Sequence, residues 1–417
     1  MTVGESAQDE LTAVERELVE HVERGDLLDL AGDGRVDEGA MRSWGEEQTI
    51  RAWVLRSIVR GQLAPTADPH GVRLRGARIA GRLDLDNITS TVALALIDCL
   101  LDEGCSVNSS HLADLDLSGC RLEHPSLAPL SADRVVITSL DLDQATVNAD
   151  SMQGCVDLRR AQIGDVSCVG TTLRNNSGPA INATGLQTNA DVILSDGFSA
   201  TGNGDLGSVR LLGAHIGGQL FCRGATLHND SGPAIDADRL QTGGSVFLSD
   251  RFSATGNGNR GLVRLLGAHI GSQLFCRGAT LHNDSGPALN ADGLQTGDSV
   301  FLSGGFSATG AGELGTIRLL GAHIGGELSC SQATLCNDSG PALNANGLQT
   351  GAEVFLSDGF SATGTGDRGA IVLHTGHIGS QLVCIGATLC NDSGPALNAN
   401  GLQTGAEVFL SDGFSAT

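Results

Sequence analysis

His215, Cys222, His228 and Asp230 fall within seventeen residues, "AHIGGQLFCRGATLHND" (214–230). Imidazole, thiolate and carboxylate are the ligands of zinc sites and the members of nucleophile–base sets, so their clustering among glycines invites a metal or catalytic reading. Fifty-four residues on, "AHIGSQLFCRGATLHND" (268–284) repeats the stretch with one change, Gly218 to Ser272. A singular site is rarely printed twice. The same interval relates the "IG" pairs at 216, 270, 324 and 378, and the "SGPA" motifs at 231, 285, 339 and 393. It also relates the "GF" or "RF" pairs at 251, 305, 359 and 413. A long period built of smaller similar units is the signature of a solenoid, in which equivalent residues stand in columns.

The chemistry then dissolves into columns. Cys168, Cys222, Cys276, Cys330 and Cys384 are each 54 apart. If coils stack at about 4.8 Å and the period spans two coils, successive cysteines are about 9.6 Å apart, beyond a disulfide or a shared metal. They are expected to form a core column. His215, His269, His323 and His377 form a second column, expected to point outward, and His228 and His282 give way to Cys336 and Cys390 at the matching position. "GNGNRG" (256–261) matches the G-x-G-x-x-G dinucleotide fingerprint and recurs at 202, 310 and 364. That chemistry needs a helix after the glycines, whereas strand-like "LVRLLGAHIG" follows, so a turn between coils is expected. The "NDSGP" loops offer one carboxylate each, short of the six to eight oxygens that calcium takes. No Ser, His and Asp set stands apart from the repeats, and no catalytic residue, cofactor or metal is expected.

Two elements must position these columns. In the copy starting at Val209, apolar pairs two residues apart recur as Val209/Leu211, Ala214/Ile216, Leu220/Cys222, Ala225/Leu227, Ile235/Ala237, then Leu240, Val246/Leu248 and Phe252/Ala254. Residues two apart on extended chain share a face, so these point inward and build two four-sided coils, with "HNDSGP" and "TGNGNRG" inserted between coils. Residues 1–64 differ. Leu11, Val14, Leu18 and Val22 fall on one helical face, and Thr12 with Glu15 fits a capping box. Ile50, Trp53, Val54 and Ile58 mark a second helix, with Gly61 as its stop. The organisation expected is a helical N-terminal cap over 1–64, degenerate coils over 72–155, and five 54-residue double coils over 156–417.

"ATLHN" (225–229), "ARIAG" (77–81) and "ADLDL" (113–117) resemble the units of the pentapeptide-repeat family, roughly Ala-(Asp/Asn)-Leu-x-x, and the resemblance covers about residues 72–417. It implies an all-β solenoid, a right-handed quadrilateral parallel β-helix, here expected to hold about fourteen coils over about 65 Å. Relatives of this repeat type are sometimes described as membrane-associated oxidoreductases; no residue here supports either half of that description. Members often dimerise end to end through their C-termini, which makes a C-terminal homodimer an expectation. Some act as double-stranded DNA mimics toward DNA gyrase.

Composition bounds the function. Glycine contributes 59 of 417 residues, aromatics 3%, and every one of the 25 basic residues is Arg. A net charge of −23 disfavours direct nucleic-acid or anionic-membrane binding. No apolar run approaches the ~20 residues of a membrane helix, and eleven cysteines outside any disulfide framework suit the cytoplasm. The leading expectation is a non-enzymatic protein-binding scaffold, its partner unidentified. Phe247, Phe301, Phe355 and Phe409 fall between predicted inward residues. Either they form an outward ladder, or the phase slips and Val246 and Leu248 point out instead. The alternative is an acidic DNA mimic that binds a DNA-handling enzyme such as DNA gyrase through Asp84, Asp86, Asp114, Asp116, Asp141 and Asp143, in the stretch where acids outnumber Arg twelve to six.

Overall fold

The structure, a computed structural model, describes residues 10–32 and 36–417, and the chain divides into two compact units, 1–189 and 190–417. Each is built of parallel strands stacked coil on coil, and unit 1 carries a small helical element at its N-terminal side.

In unit 1, helix α1 (Ala13–Arg24) begins at the expected capping box: Thr12 Oγ1 accepts from Glu15 N–H while the Glu15 carboxylate accepts from Thr12 N–H. Its apolar stripe, Leu11, Val14, Leu18 and Val22, is buried. Glu15 is buried as well, and Arg51 donates to it from its backbone N–H at 3.0 Å and from Nε at 2.8 Å. Burial alone would raise the Glu15 pKa, but the hydrogen bonds from Arg51 and Thr12 outweigh it and hold the carboxyl below its usual range. A short helix α2 (Glu38–Ser43) follows, and then α3 (Ala52–Val59), which is shorter than its sequence pattern suggests. Ile50 lies in a strand, Thr49–Arg51, paired with Arg78–Ala80. The hydrogen bonds of an open coil edge outweigh local helical periodicity there. Leu28–Asp29 pairs with Leu74–Arg75 in the same way. Gly61, at φ +68°, closes α3 as expected.

The coils of unit 1 lengthen along the chain: Leu94 is in register with Leu115, 21 residues on, whereas Leu140 is in register with Val166, 26 residues on. In unit 2 the register steps alternate. Val209 pairs with Ile235, 26 on, and Ile235 with Val263, 28 on, which together give the 54-residue period. Each coil contributes four strands, represented by Val209–Arg210, His215–Ile216, Leu220–Phe221 and Thr226–Asn229. Both inserted loops fall at one corner, between the fourth strand of a coil and the first strand of the next. Every residue expected to face inward in the Val209 copy is buried. Phe198, Phe252, Phe306 and Phe360 are fully buried and alternate coil by coil with Ala225, Ala279 and Ala333. Large and small side chains alternate down one column, so two coils rather than one make the packing unit.

Candidate interaction face

Phe247 lies between buried Val246 and buried Leu248 and points outward, half-exposed; Phe301 and Phe355 do the same, and Phe409 is exposed. The phase-slip alternative does not hold. The sequence period hid the better part of the feature. Coil register places Phe221 beside Phe247, Phe247 beside Phe275, and Phe275 beside Phe301. These four rings form a continuous stack with centroids 5.0, 4.8 and 5.2 Å apart and planes within 11°. Arg223 lies over Phe247 at 4.2 Å and Arg277 over Phe301 at 4.4 Å, geometries in which the ring quadrupole attracts the guanidinium. Ser329 and Val383 occupy the same column further on, so Phe355 and Phe409 stand outside the stack.

Beside the rings runs a polar column that alternates His215, Gln241, His269, Gln295, His323, Gln349, His377 and Gln403. The four histidines are exposed, as expected. Along this column runs a groove floored by glycines. A Cβ built on Gly243, Gly271 or Gly297 would sit 2.1–2.3 Å from the carbonyl oxygen of the coil before, so only glycine fits. His228 meets Thr255 Oγ1 and Asp230 Oδ1, both at 2.8 Å, on the exposed fourth strand.

The other conspicuous residues hold the solenoid together. Cys222, Cys276, Cys330 and Cys384 are buried, and burial pushes each thiol up to about 12. In the intervening coils Leu248, Leu302 and Leu356 take their place. Asn229 of "NDSGP" is buried: its amide donates to the carbonyls of Gly204 and Pro233 and its Oδ1 accepts from Ser231 N–H, which pins the loop to its neighbour. Asn283 and Asn337 repeat the pin, and Asn391 repeats its two amide donations. "GNGNRG" joins the strands Ser253–Gly256 and Val263–Arg264. Among the described residues no group of three or more His, Cys, Asp or Glu is placed to hold a metal, and no helix is long and apolar enough to cross a membrane.

The six aspartates separate onto two strand stacks of unit 1. Asp84 and Asp86 lie at Leu83–Asp84, which pairs with Cys105–Ser106, whereas Asp114, Asp116, Asp141 and Asp143 belong to the stack of Asp114–Asp116 and Val136–Asp141. Most are engaged. Asp84 pairs with Arg56 at 3.0 Å, Asp86 accepts from Asn108 N–H at 2.7 Å, and Asp143 accepts from Val169 N–H at 2.7 Å. Asp114 accepts from Ser139, Asp116 from Ser118 N–H, and Asp141 from Asp143 N–H. Burial, with help from neighbouring Asp143 and Asp116, raises the Asp141 pKa.

The fold is a parallel β-solenoid of stacked coils with an apolar interior. No family model matches the chain, and no curated protein or solved structure matches it.

Proposed function

We propose that the protein is a non-enzymatic protein–protein interaction scaffold whose contact face is the Phe221–Phe247–Phe275–Phe301 stack. The carrying observation is that these apolar rings point outward from strands whose inward residues already complete the core. An apolar stripe held in water without a core role marks a recognition surface. We further take the solenoid as a degenerate relative of the pentapeptide-repeat family, on the motifs "ATLHN", "ARIAG" and "ADLDL". Eleven free cysteines support a cytoplasmic setting.

The test is affinity capture from nuclease-treated host lysate, read by quantitative mass spectrometry, comparing the full chain with the variant Phe221→Ser, Phe247→Ser, Phe275→Ser and Phe301→Ser. A partner recovered by the parent and lost by a folded variant supports the scaffold; an unchanged set of recovered proteins overturns it. A second reading, an acidic mimic of double-stranded DNA, draws support from Asp116 and Asp141 standing in register with Asp114 and Asp143 nearby. Asp→Asn changes at those four positions that leave inhibition of a DNA-handling enzyme intact would remove it.

A further inference from the structure

The solenoid contains its own record of what varies with what. Core residues Leu220 and Cys222 recur as Leu274/Cys276, Leu328/Cys330 and Leu382/Cys384, all buried. The outward pair between and after them does not recur: Phe221/Arg223 and Phe275/Arg277 become Ser329/Ser331 and then Val383/Ile385. Phenylalanine and arginine are exchanged together while the core beneath stays the same. The ring stack and its two guanidiniums therefore behave as one unit with a defined start and end, spanning about 15 Å at the coil spacing. Beyond the rings the arginine positions become uncharged Ser331 and Ile385, while on the other side of the ring position Gln219 and Gln273 give way to Glu327. Leu328 is in register with Val354, so Glu327 and Glu353, each one residue before, stand in adjacent coils, and burial followed by Glu353 raises the Glu327 pKa.

Resting on the scaffold reading, we propose that this face takes an amphipathic α-helix laid along the coil stack, with an aliphatic stripe on the rings and acidic residues on the arginine flank. Spacing carries the first half. Rings recur every 4.8–5.2 Å. A helix presents one turn every ~5.4 Å, so three turns drift from the rings by about 1 Å, whereas same-face residues of a strand recur every ~6.7 Å and drift by about 5 Å. Charge carries the second half. Arg223 and Arg277 are exposed and two coils apart, about 9.6 Å, and helix positions i and i+7 are about 10.5 Å apart. Carboxylates at those positions meet both cations; Arg223 keeps its place over Phe247 and exchanges a 3.8 Å contact to exposed Asp250. Glu327 and Glu353 favour a basic residue one turn beyond the stripe. This is recognition of a helix by an apolar surface, with an extended stack in place of a groove.

The probe is a synthetic eighteen-residue helix, stapled to fix its conformation, with Leu at a heptad a/d stripe, Glu at i and i+7 on one flank and Lys near one end. Binding is read by fluorescence anisotropy on the full chain. Controls are a scrambled peptide, a peptide with Lys in place of both Glu, and vesicles of phosphatidylcholine with phosphatidylglycerol. The chain variant is Phe275→Ser with Arg277→Ser, which copies the protein's own Ser329/Ser331 and so leaves the fold a native precedent. Expected is saturable binding of the acidic probe, weakened about tenfold or more both by the charge-swapped peptide and by the chain variant. Equal binding of acidic and scrambled peptides, no effect of the variant, or ring-dependent binding to vesicles overturns the helix inference. If lysate capture still yields a ring-dependent partner that the probe does not displace, the scaffold reading survives and the helix inference falls. Loss of both removes both.

Discussion

Asp236 stands where its 54-residue equivalents, Asn182, Asn290, Asn344 and Asn398, are asparagine. Asn290, Asn344 and Asn398 each donate from Nδ2 to the carbonyl thirty residues earlier, on Arg260, Leu314 and Arg368, at 2.9, 2.9 and 3.2 Å. The repeat assigns Leu206, thirty residues earlier, as the matching acceptor for Asp236, but a carboxylate has no proton to donate to it, and Asp236 Oδ1 is buried without a hydrogen-bond partner. Burial raises its pKa; Arg264 and Arg210 at 4.0 and 3.9 Å oppose this without reversing it. A buried unsatisfied acceptor costs roughly 1–3 kcal/mol and a restored amide bond contributes about 1 kcal/mol, against the loss of two long charge contacts. Arg264 keeps its closer partner, Asp238. Asp236→Asn is therefore expected to stabilise the surrounding coils by about 1–2 kcal/mol at neutral pH, a 5–30-fold slowing of exchange. The sign with pH is fixed by the raised folded-state value. Protonation relieves the parent below the ordinary Asp range, and that relief is lost as pH rises through the folded pKa, so the variant's advantage is full at neutral pH and shrinks on acidification. Hydrogen exchange of peptides covering 203–240, corrected for intrinsic rates, measures it. Asn290→Asp should accelerate exchange around 257–294 in return. Faster exchange in Asp236→Asn at neutral pH, or an advantage that grows on acidification, would refute the reasoning.

Thiol labelling should divide the cysteines. Half-exposed Cys336 and Cys390 are expected to react in the native state, while Cys222, Cys276, Cys330 and Cys384, with thiols near 12, stay silent until denaturant is added. Gly297→Ala places a Cβ 2.2 Å from the Gly271 carbonyl oxygen and should lower the unfolding midpoint, whereas Ala at Gly45, which has open space and no positive φ, should not. Glu15→Gln replaces the charge-assisted bonds to half-exposed Arg51 with neutral ones and should cost about 1–2 kcal/mol in the helical element, read by Trp53 fluorescence because Arg51 lies 5.0 Å over that ring. Because the Glu15 pKa is lowered on folding, the parent's stabilisation is present above the usual Glu range and is lost as pH falls through the folded value; Glu15→Gln should flatten that loss.

What could be read from sequence follows the physics of repetition. The inward set from Val209 to Ala254, the cysteine column, the Thr12–Glu15 capping box and the turn at "GNGNRG" depend on local periodicity or on the absence of a following helix, and all four appear in the structure. Phe221 and Phe275 were illegible as ladder members for a definite reason. A 54-residue search compares each coil with the second one along, while ring stacking joins immediate neighbours through register steps of 26 and 28. The strand Thr49–Arg51 was hidden in a helical pattern because its partner, Arg78–Ala80, lies outside any local window. The loop asparagines read as polar turn residues, and only the fold reveals Asn229 as a buried pin. The division of the six aspartates depends on which strand of each coil they occupy, and the coil length changes through that stretch.

The most direct test is hydroxyl-radical footprinting of phenylalanine, read residue by residue with and without a partner captured through the ring face. Outward rings predict oxidation of Phe221, Phe247, Phe275 and Phe301 in the free chain and their protection on binding, with Phe198, Phe252, Phe306 and Phe360 silent in both states. Oxidation of the Phe252 column with a silent Phe247 column, or partner binding that leaves the exposed rings equally reactive, would contradict it.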